Sequence, residues 1–415
     1  MKDLGFDTKA LHAGRGMQEQ TGSVAVPLYS SATFEYGSAE DLEGAFAGTV
    51  QGHVYSRNSN PTVAVFEARI AALENGIGAV GCASGMAALN AVFLSLVRPG
   101  DVVAAGNGLF GGTLRFFGDI LEKFGARVTY FDPTSAADLK SVIDEKTKVV
   151  FIESLSNPGL QIPDFSGLQS VCTEHNLPLI VDNTLPSPAL FHPKSVKAAI
   201  VVHSATKFIT GNGTVIGGVF IDTGSYDWSN YTDDSVRKSV DRFGSEFGFL
   251  AHARQVFYRN MGGCLSPFNA FIHLLGLESL GLRMERHCGN ALELAEVLSK
   301  QDAIHEVNYP GLASSLSKPR ADQYFNGRAG GLLTIRLGSK DRCFEFLRRL
   351  KIAKIAANLG DAKTLVIHPA STIYRNCRPQ EIEDSGVTED LVRISVGIET
   401  IDDLKWDFLQ ALETA

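Results

Sequence analysis

The sequence predicts an α/β protein: a large domain on a mostly parallel seven-stranded sheet, then a smaller α+β carboxy-terminal domain. Three observations carry this expectation. Between residues 79 and 221, short apolar runs of β type alternate with helix-type segments. After residue 258 the pattern changes to long helical stretches followed by two β-like runs. Before residue 61 the chain is rich in Gly, Ser and Thr without a sustained period, as expected of an extended arm. The implied division is an arm over 1–60, a large domain over 61–258 and a carboxy-terminal domain over 259–415.

In chain order, the strand candidates are 79–83, 102–105, 128–131, 149–152, 179–181, 200–202 and 217–221. Their apolar composition fits strands buried on both faces of a parallel sheet. Helices are expected over 85–97, stopped by Arg98-Pro99-Gly100, and over 112–124, closed by Gly125. Beyond the large domain, Ser266-Pro267 opens a helix and 286–298 carries another, while 332–337 and 392–396 read as strands.

Composition narrows the function classes. With 44% hydrophobic and 20% charged residues, the chain is ordinary globular protein. A net charge of −8, from 38 basic and 46 acidic residues, gives no electrostatic footprint for nucleic acid or a membrane surface. No apolar stretch reaches the roughly 20 residues that span a bilayer, and the first residues lack a signal-peptide core, so a cytoplasmic protein is expected. The six cysteines form no Cys-x-x-Cys pair and no His set has ligand spacing, which argues against disulfides and a metal centre. Cys82 and Cys288 read as reduced packing thiols, and His12, His53 and His203 as hydrogen-bonded loop or strand-end residues. The expected partners are small molecules and copies of the chain itself.

The chemistry-bearing residues lie at strand ends. Asp182 closes the run 179–182, and Lys207 follows the run 199–202 within His203-Ser204-Ala205-Thr206-Lys207. Taken singly, each is an ordinary turn or loop residue. Together they offer a carboxylate for a pyridinium nitrogen and an amine for a Schiff base, which is what pyridoxal 5′-phosphate (PLP) requires of a protein. Ser84-Gly85-Met86 opens a helix after a strand, where free backbone N–H groups suit a phosphate. Ser204 and Thr206 add hydroxyls around that phosphate, and Asn157, also after a strand, can hold the cofactor's phenolic oxygen. Tyr55 and Arg57, in Tyr55-Ser56-Arg57-Asn58-Ser59-Asn60-Pro61-Thr62, add a phenol and a guanidinium suited to bidentate phosphate contacts.

With these residues in this order, the chain resembles the Cys/Met-metabolism family of fold-type I PLP-dependent enzymes. The resemblance runs from Thr8-Lys9-Ala10-Leu11-His12-Ala13-Gly14 to Arg393-Ile394-Ser395-Val396-Gly397-Ile398-Glu399, and is specific at 55–62, 204–207, 265–268 and 368–371. It implies that Lys207 is the Schiff-base lysine, Asp182 the partner of the ring nitrogen, and Gly85, Met86, Ser204 and Thr206 the phosphate cradle. It further implies that Tyr55 and Arg57 reach the phosphate of a neighbouring subunit, so that the active form is a homo-oligomer, at least a dimer and commonly a tetramer built from dimers with shared sites. Arg393 is then the clamp for the substrate α-carboxylate.

Within the family, Gly211-Asn212-Gly213-Thr214 and Asn358-Leu359-Gly360-Asp361-Ala362 are similar to the O-acetylhomoserine sulfhydrylases, where lyases usually carry Gly-His-Ser-Asp and a Ser in place of Asn358. Gly112 stands where methionine γ-lyases usually have a Cys. Two residues depart from the pattern. Asn212 replaces a common His, and Phe110 replaces a Tyr whose phenol helps protonate the γ leaving group. Phe110 keeps the aromatic face that can stack on the cofactor and loses the hydroxyl. Acetate leaves without much protonation and a thiolate does not, so the expected reaction is replacement of the acetate of O-acetyl-L-homoserine by sulfide or a thiol. The alternatives are a methionine or homocysteine γ-lyase, a cystathionine lyase, or a PLP-binding protein of impaired catalysis acting as a partner-binding module.

Overall fold

The computed structural model describes residues 4–14 and 22–413. Seven strands fall where the apolar runs place them: β1 (Gly78–Cys82), β2 (Val102–Gly106), β3 (Arg127–Phe131), β4 (Thr147–Glu153), β5 (Leu179–Asp182), β6 (Ile200–His203) and β7 (Gly218–Asp222). They form one sheet in the order β1-β7-β6-β5-β4-β2-β3. From β6 across to β3 every pairing is parallel, and β7 runs antiparallel to both β6 and β1. Val149, Val150, Phe151 and Ile152 of β4 are all fully buried, the consequence of helices packing on both faces. Strands β4, β5 and β6 therefore point their carboxyl ends the same way, and such an edge is where α/β sheets bind ligands.

The helix Pro61–Leu73 begins at Asn60, whose side chain accepts the Thr62 N–H, with Pro61 at the first turn. Ser84 caps Gly85–Leu96 by accepting the Ala87 N–H. The expected helix 112–124 is instead an α-helix, Gly111–Phe116, that continues as a π-helical turn over Phe117–Leu121. Gly125, at φ +86°, then turns the chain into β3. The amino-terminal stretch carries more order than its composition promises. It holds the helices Phe6–His12 and Ala39–Ala47, the second capped by Ser38 and closed by Gly48 in the left-handed region.

The carboxy-terminal part packs the helices Pro267–Glu278, Leu280–Leu298 and Ile401–Leu412 with a five-stranded sheet. Its strands are β8 (Glu306–Asn308), β9 (Leu332–Arg336), β10 (Lys354–Ile355), β11 (Leu365–Ile367) and β12 (Leu391–Ser395), in the order β10-β11-β12-β9-β8. The two longest, β9 and β12, are the ones the sequence announces. Among the described residues no helix is long and apolar enough to cross a membrane, all six cysteines are free, and no His, Cys, Asp and Glu cluster could hold a metal.

Candidate active site

The parallel register sets the site. Asp182, the last residue of β5, stands opposite Glu153 of β4 and Val202 of β6. Lys207 lies in the turn that follows β6. A single Thr184 ties these together, donating its N–H to Asp182 Oδ1 (2.9 Å) and accepting the Ser204 N–H at Oγ1 (2.8 Å). Beneath them, Glu74 Oε1 meets His203 Nε2 (2.6 Å) and accepts from Asn183 Nδ2 (2.9 Å), a wholly buried set that fixes the ends of β5 and β6 to the helix Pro61–Leu73.

Above these strand ends opens a cavity of about 310 Å³. Gly85, Met86, Phe110, Asn157, Asp182, Ser204, Thr206, Lys207, Asn358 and Arg393 all line it. Lys207 Nζ donates to Asn358 Oδ1 at 2.5 Å. Arg393 Nη1 donates to Asn157 Oδ1 (3.0 Å) and Nη2 to the Asn358 carbonyl (2.9 Å), while its Nε is buried without a partner. A guanidinium so placed, with a donor left over, suits a carboxylate.

The electrostatics follow from burial. Desolvation and the nearby Arg393 charge bring the Lys207 amine down to about 8. Burial also raises Asp182, opposed by its Thr184 hydrogen bonds and by His203. Glu153, buried beside Asp182, is pushed well above the carboxylate range by desolvation and then by that neighbouring charge. Arg393 is lowered to about 10 by burial.

The cavity fits PLP on several counts. Ser84 Oγ and its carbonyl take the Ala87 and Ala88 N–H groups, leaving the first-turn N–H groups of Gly85 and Met86 for an anion. Ser204 packs so close that a Cβ on residue 85 would lie 2.9 Å from its Cβ, so a glycine is needed where backbone and phosphate meet. The Asp182 carboxylate and Lys207 amine line this same cavity and would supply the anion for a ring nitrogen and the amine for an aldehyde.

The structure brings together Gly85, Met86, Phe110, Asn157, Asp182, Ser204, Thr206, Lys207, Asn358 and Arg393. Tyr55 and Arg57 do not join them. Tyr55 is 41% exposed, and Arg57 lies over its ring at 5.4 Å and donates to the Arg259 carbonyl. Three cavity or supporting residues carried no weight in the sequence reading. Glu153 and Thr184 each sit at a strand end, the same signal that singled out Asp182. Glu74 is a helix-end glutamate whose contact with His203 no spacing announces.

Comparison with known proteins points to the same cofactor. Residues 7–413 match the family described as Cys/Met metabolism PLP-dependent enzyme. The chain is 40% identical to a homocysteine synthase of Schizosaccharomyces pombe, covering 99% of this chain and 98% of the relative. It is 38% identical to an O-acetyl-L-homoserine sulfhydrylase of Leptospira meyeri, over 98% and 96% of the two chains. Among solved structures it superposes with a TM-score of 0.91 on a Campylobacter jejuni chain assigned as an O-acetylhomoserine (thiol)-lyase, at 32% identity over 99% of this chain and 100% of that one. That protein carries pyridoxyl-lysine phosphate. This chain therefore belongs to the Cys/Met-metabolism family of PLP-dependent enzymes.

Proposed function

We propose that this enzyme catalyses γ-replacement on O-acetyl-L-homoserine, with sulfide or a thiol as nucleophile, releasing acetate and giving homocysteine or methionine. The observation that carries this reading is the composition of one cavity: an amine, a guanidinium with its Nε donor still unpartnered, and a phenyl ring where a proton-donating phenol would serve a poor leaving group. The relatives named for homocysteine synthesis and O-acetylhomoserine sulfhydrylation support it. A methionine γ-lyase of Pseudomonas putida is also similar, at 36% identity, and elimination from a sulfur amino acid is the second reading.

PLP, when bound, supplies the sink for negative charge at the substrate Cα and Cβ. Each residue then has a task. Arg393 binds the α-carboxylate and orients the substrate. Lys207, whose amine burial and the Arg393 charge hold below the usual lysine range, takes the Cα proton at Nζ in its neutral form. Asn358 aims that nitrogen through its 2.5 Å hydrogen bond. Asp182 keeps a negative charge where a protonated ring nitrogen needs it. Phe110 lines the cavity, where it would cover the ring, and it offers no proton at Cγ, which acetate tolerates.

The outward positions of Tyr55 and Arg57 support a shared site, in which each subunit lends both side chains to a neighbour's phosphate within a dimer or tetramer. Comparing kcat/KM for O-acetyl-L-homoserine plus sulfide with that for methionine alone tests the choice of reaction. The replacement reading requires the first to exceed the second by at least about tenfold, and the reverse order would assign a lyase.

A further inference from the structure

We propose that Glu153 works as a neutral carboxylic acid, a positioning residue that holds the Phe110 backbone against the cofactor pocket while leaving the single negative charge of the strand ends on Asp182. The inference deepens the PLP reading above and rests on it for its effect on the cofactor.

Glu153 ends β4 directly opposite Asp182 on β5, so two carboxyl groups project from adjacent strand ends into one cavity. Two such groups in a poorly solvated site do not both ionise. Their surroundings decide which one does. Each carboxyl accepts two donors, Asp182 the Thr184 N–H and hydroxyl and Glu153 the backbone N–H groups of Phe110 (2.7 Å) and Asn157, but Asp182 also has His203 nearby, whereas Glu153 has Asp182 as its nearest charge. No cation pairs with Glu153 among the described residues. The other titratable group packed close to it is Tyr374, a buried phenol that donates to the carbonyls of Leu109 and Asn157 and so stays neutral. Lys207 and Arg393, the cations of the cavity, are engaged by Asn358 and Asn157.

The hydrogen bond to Phe110 gives the neutral acid a task. Phe110 precedes the helix Gly111–Phe116; its carbonyl takes the Thr113 and Leu114 N–H groups, and the Glu153 bond holds its N–H at the cavity wall. A second anion there would compete with Asp182 for the ring nitrogen and distort the charge that the cofactor meets.

Two measurements separate this from its alternatives. In the cofactor-free protein at neutral pH, an infrared difference spectrum of the parent against Glu153→Gln is expected to show the carbonyl stretch of a protonated carboxylic acid, lost in the variant. Carboxylate stretches in its place would overturn the proposal, whatever the enzyme's reaction. In the PLP-loaded protein, Glu153→Gln keeps the acceptor and removes no charge, so the pKa read from the visible cofactor band should stay within about 0.3 unit and kcat within about threefold. A fall of that pKa by about one unit or more would mean that an anion had been removed, and would also overturn it. Glu153→Ala should leave the band pKa in place and lower kcat by about tenfold or more through a misplaced Phe110. Parent-like kcat in Glu153→Ala would dismiss the positioning role. Loss of all activity towards every sulfur amino acid in the parent would count against the function above and leave the infrared result standing.

Discussion

Lys207 Nζ donates to Asn358 Oδ1 at 2.5 Å, so the amine in the turn after β6 is aimed by the loop that connects β10 to β11 in the carboxy-terminal sheet. Both regions of the chain build the site. The distance between the two elements sets where the reacting nitrogen points, and a small rearrangement there would move it.

The depressed Lys207 amine has a direct kinetic signature. Only the neutral amine attacks an aldehyde, and the pKa is about 8 in the cofactor-free site. PLP capture by the cofactor-free enzyme is therefore expected to accelerate as pH rises through about 8 and to level off above it. Arg393→Gln removes the charge that opposes protonation, so the midpoint should move upward. Stopped-flow absorbance across pH reads both, and a midpoint that fails to rise in the variant would mean that Arg393 does not act on the amine. Lys207→Ala should abolish the lysine-linked band altogether.

Gly85→Ala tests the phosphate cradle. The added Cβ would meet Ser204 Cβ at 2.9 Å, which forces the cap turn and the Ser204 turn apart. PLP affinity is expected to fall by about tenfold or more, ~1.4 kcal/mol. Fluorescence titration measures this, with circular dichroism to show that the fold persists. Unchanged affinity would place the phosphate elsewhere.

The fold was legible in the sequence because buried parallel strands are continuous apolar runs. All seven strands of the large sheet lie on such runs, and Asp182 and Lys207 were readable as strand-end residues. What escaped were features without a local signal. The strands β8, β10 and β11 are two or three residues long; β8 and β11 exist through pairing with β9 and β12, and β10 through pairing with β11. Of the helices in the amino-terminal arm, Phe6–His12 rests on contacts with Pro61–Leu73 and the carboxy-terminal helices, and Ala39–Ala47, which buries no residue, on its Ser38 cap, rather than on a long apolar period. Glu153 was passed over since a glutamate at a strand end is usually solvated, and only the register with Asp182 gives it meaning. Thr184 and Glu74 act through contacts of 20 and 129 residues' separation, which no spacing rule anticipates.

A shared site has a test by complementation. Arg57→Ala should weaken PLP retention, and Lys207→Ala should abolish turnover. In a mixed dimer of the two, one of the sites regains both groups, so activity is expected to reappear after subunit exchange. Continued inactivity in mixed oligomers verified by mass spectrometry would confine each site to one chain.

Phe110→Tyr probes the leaving group. A general acid contributes about 10²–10⁴-fold when well placed. The new phenol is expected to raise elimination from methionine more than replacement on O-acetyl-L-homoserine, because a thiolate gains more from a proton than acetate does. Equal changes in kcat/KM would mean that residue 110 only covers the ring.

The most direct measurement is the fate of O-acetyl-L-homoserine in the presence of sulfide, followed by simultaneous assay of homocysteine, acetate and 2-oxobutyrate. Replacement requires homocysteine and acetate in equal amounts, with 2-oxobutyrate a minor product. Release of 2-oxobutyrate and ammonia as the main products, or acetate without homocysteine, would contradict it.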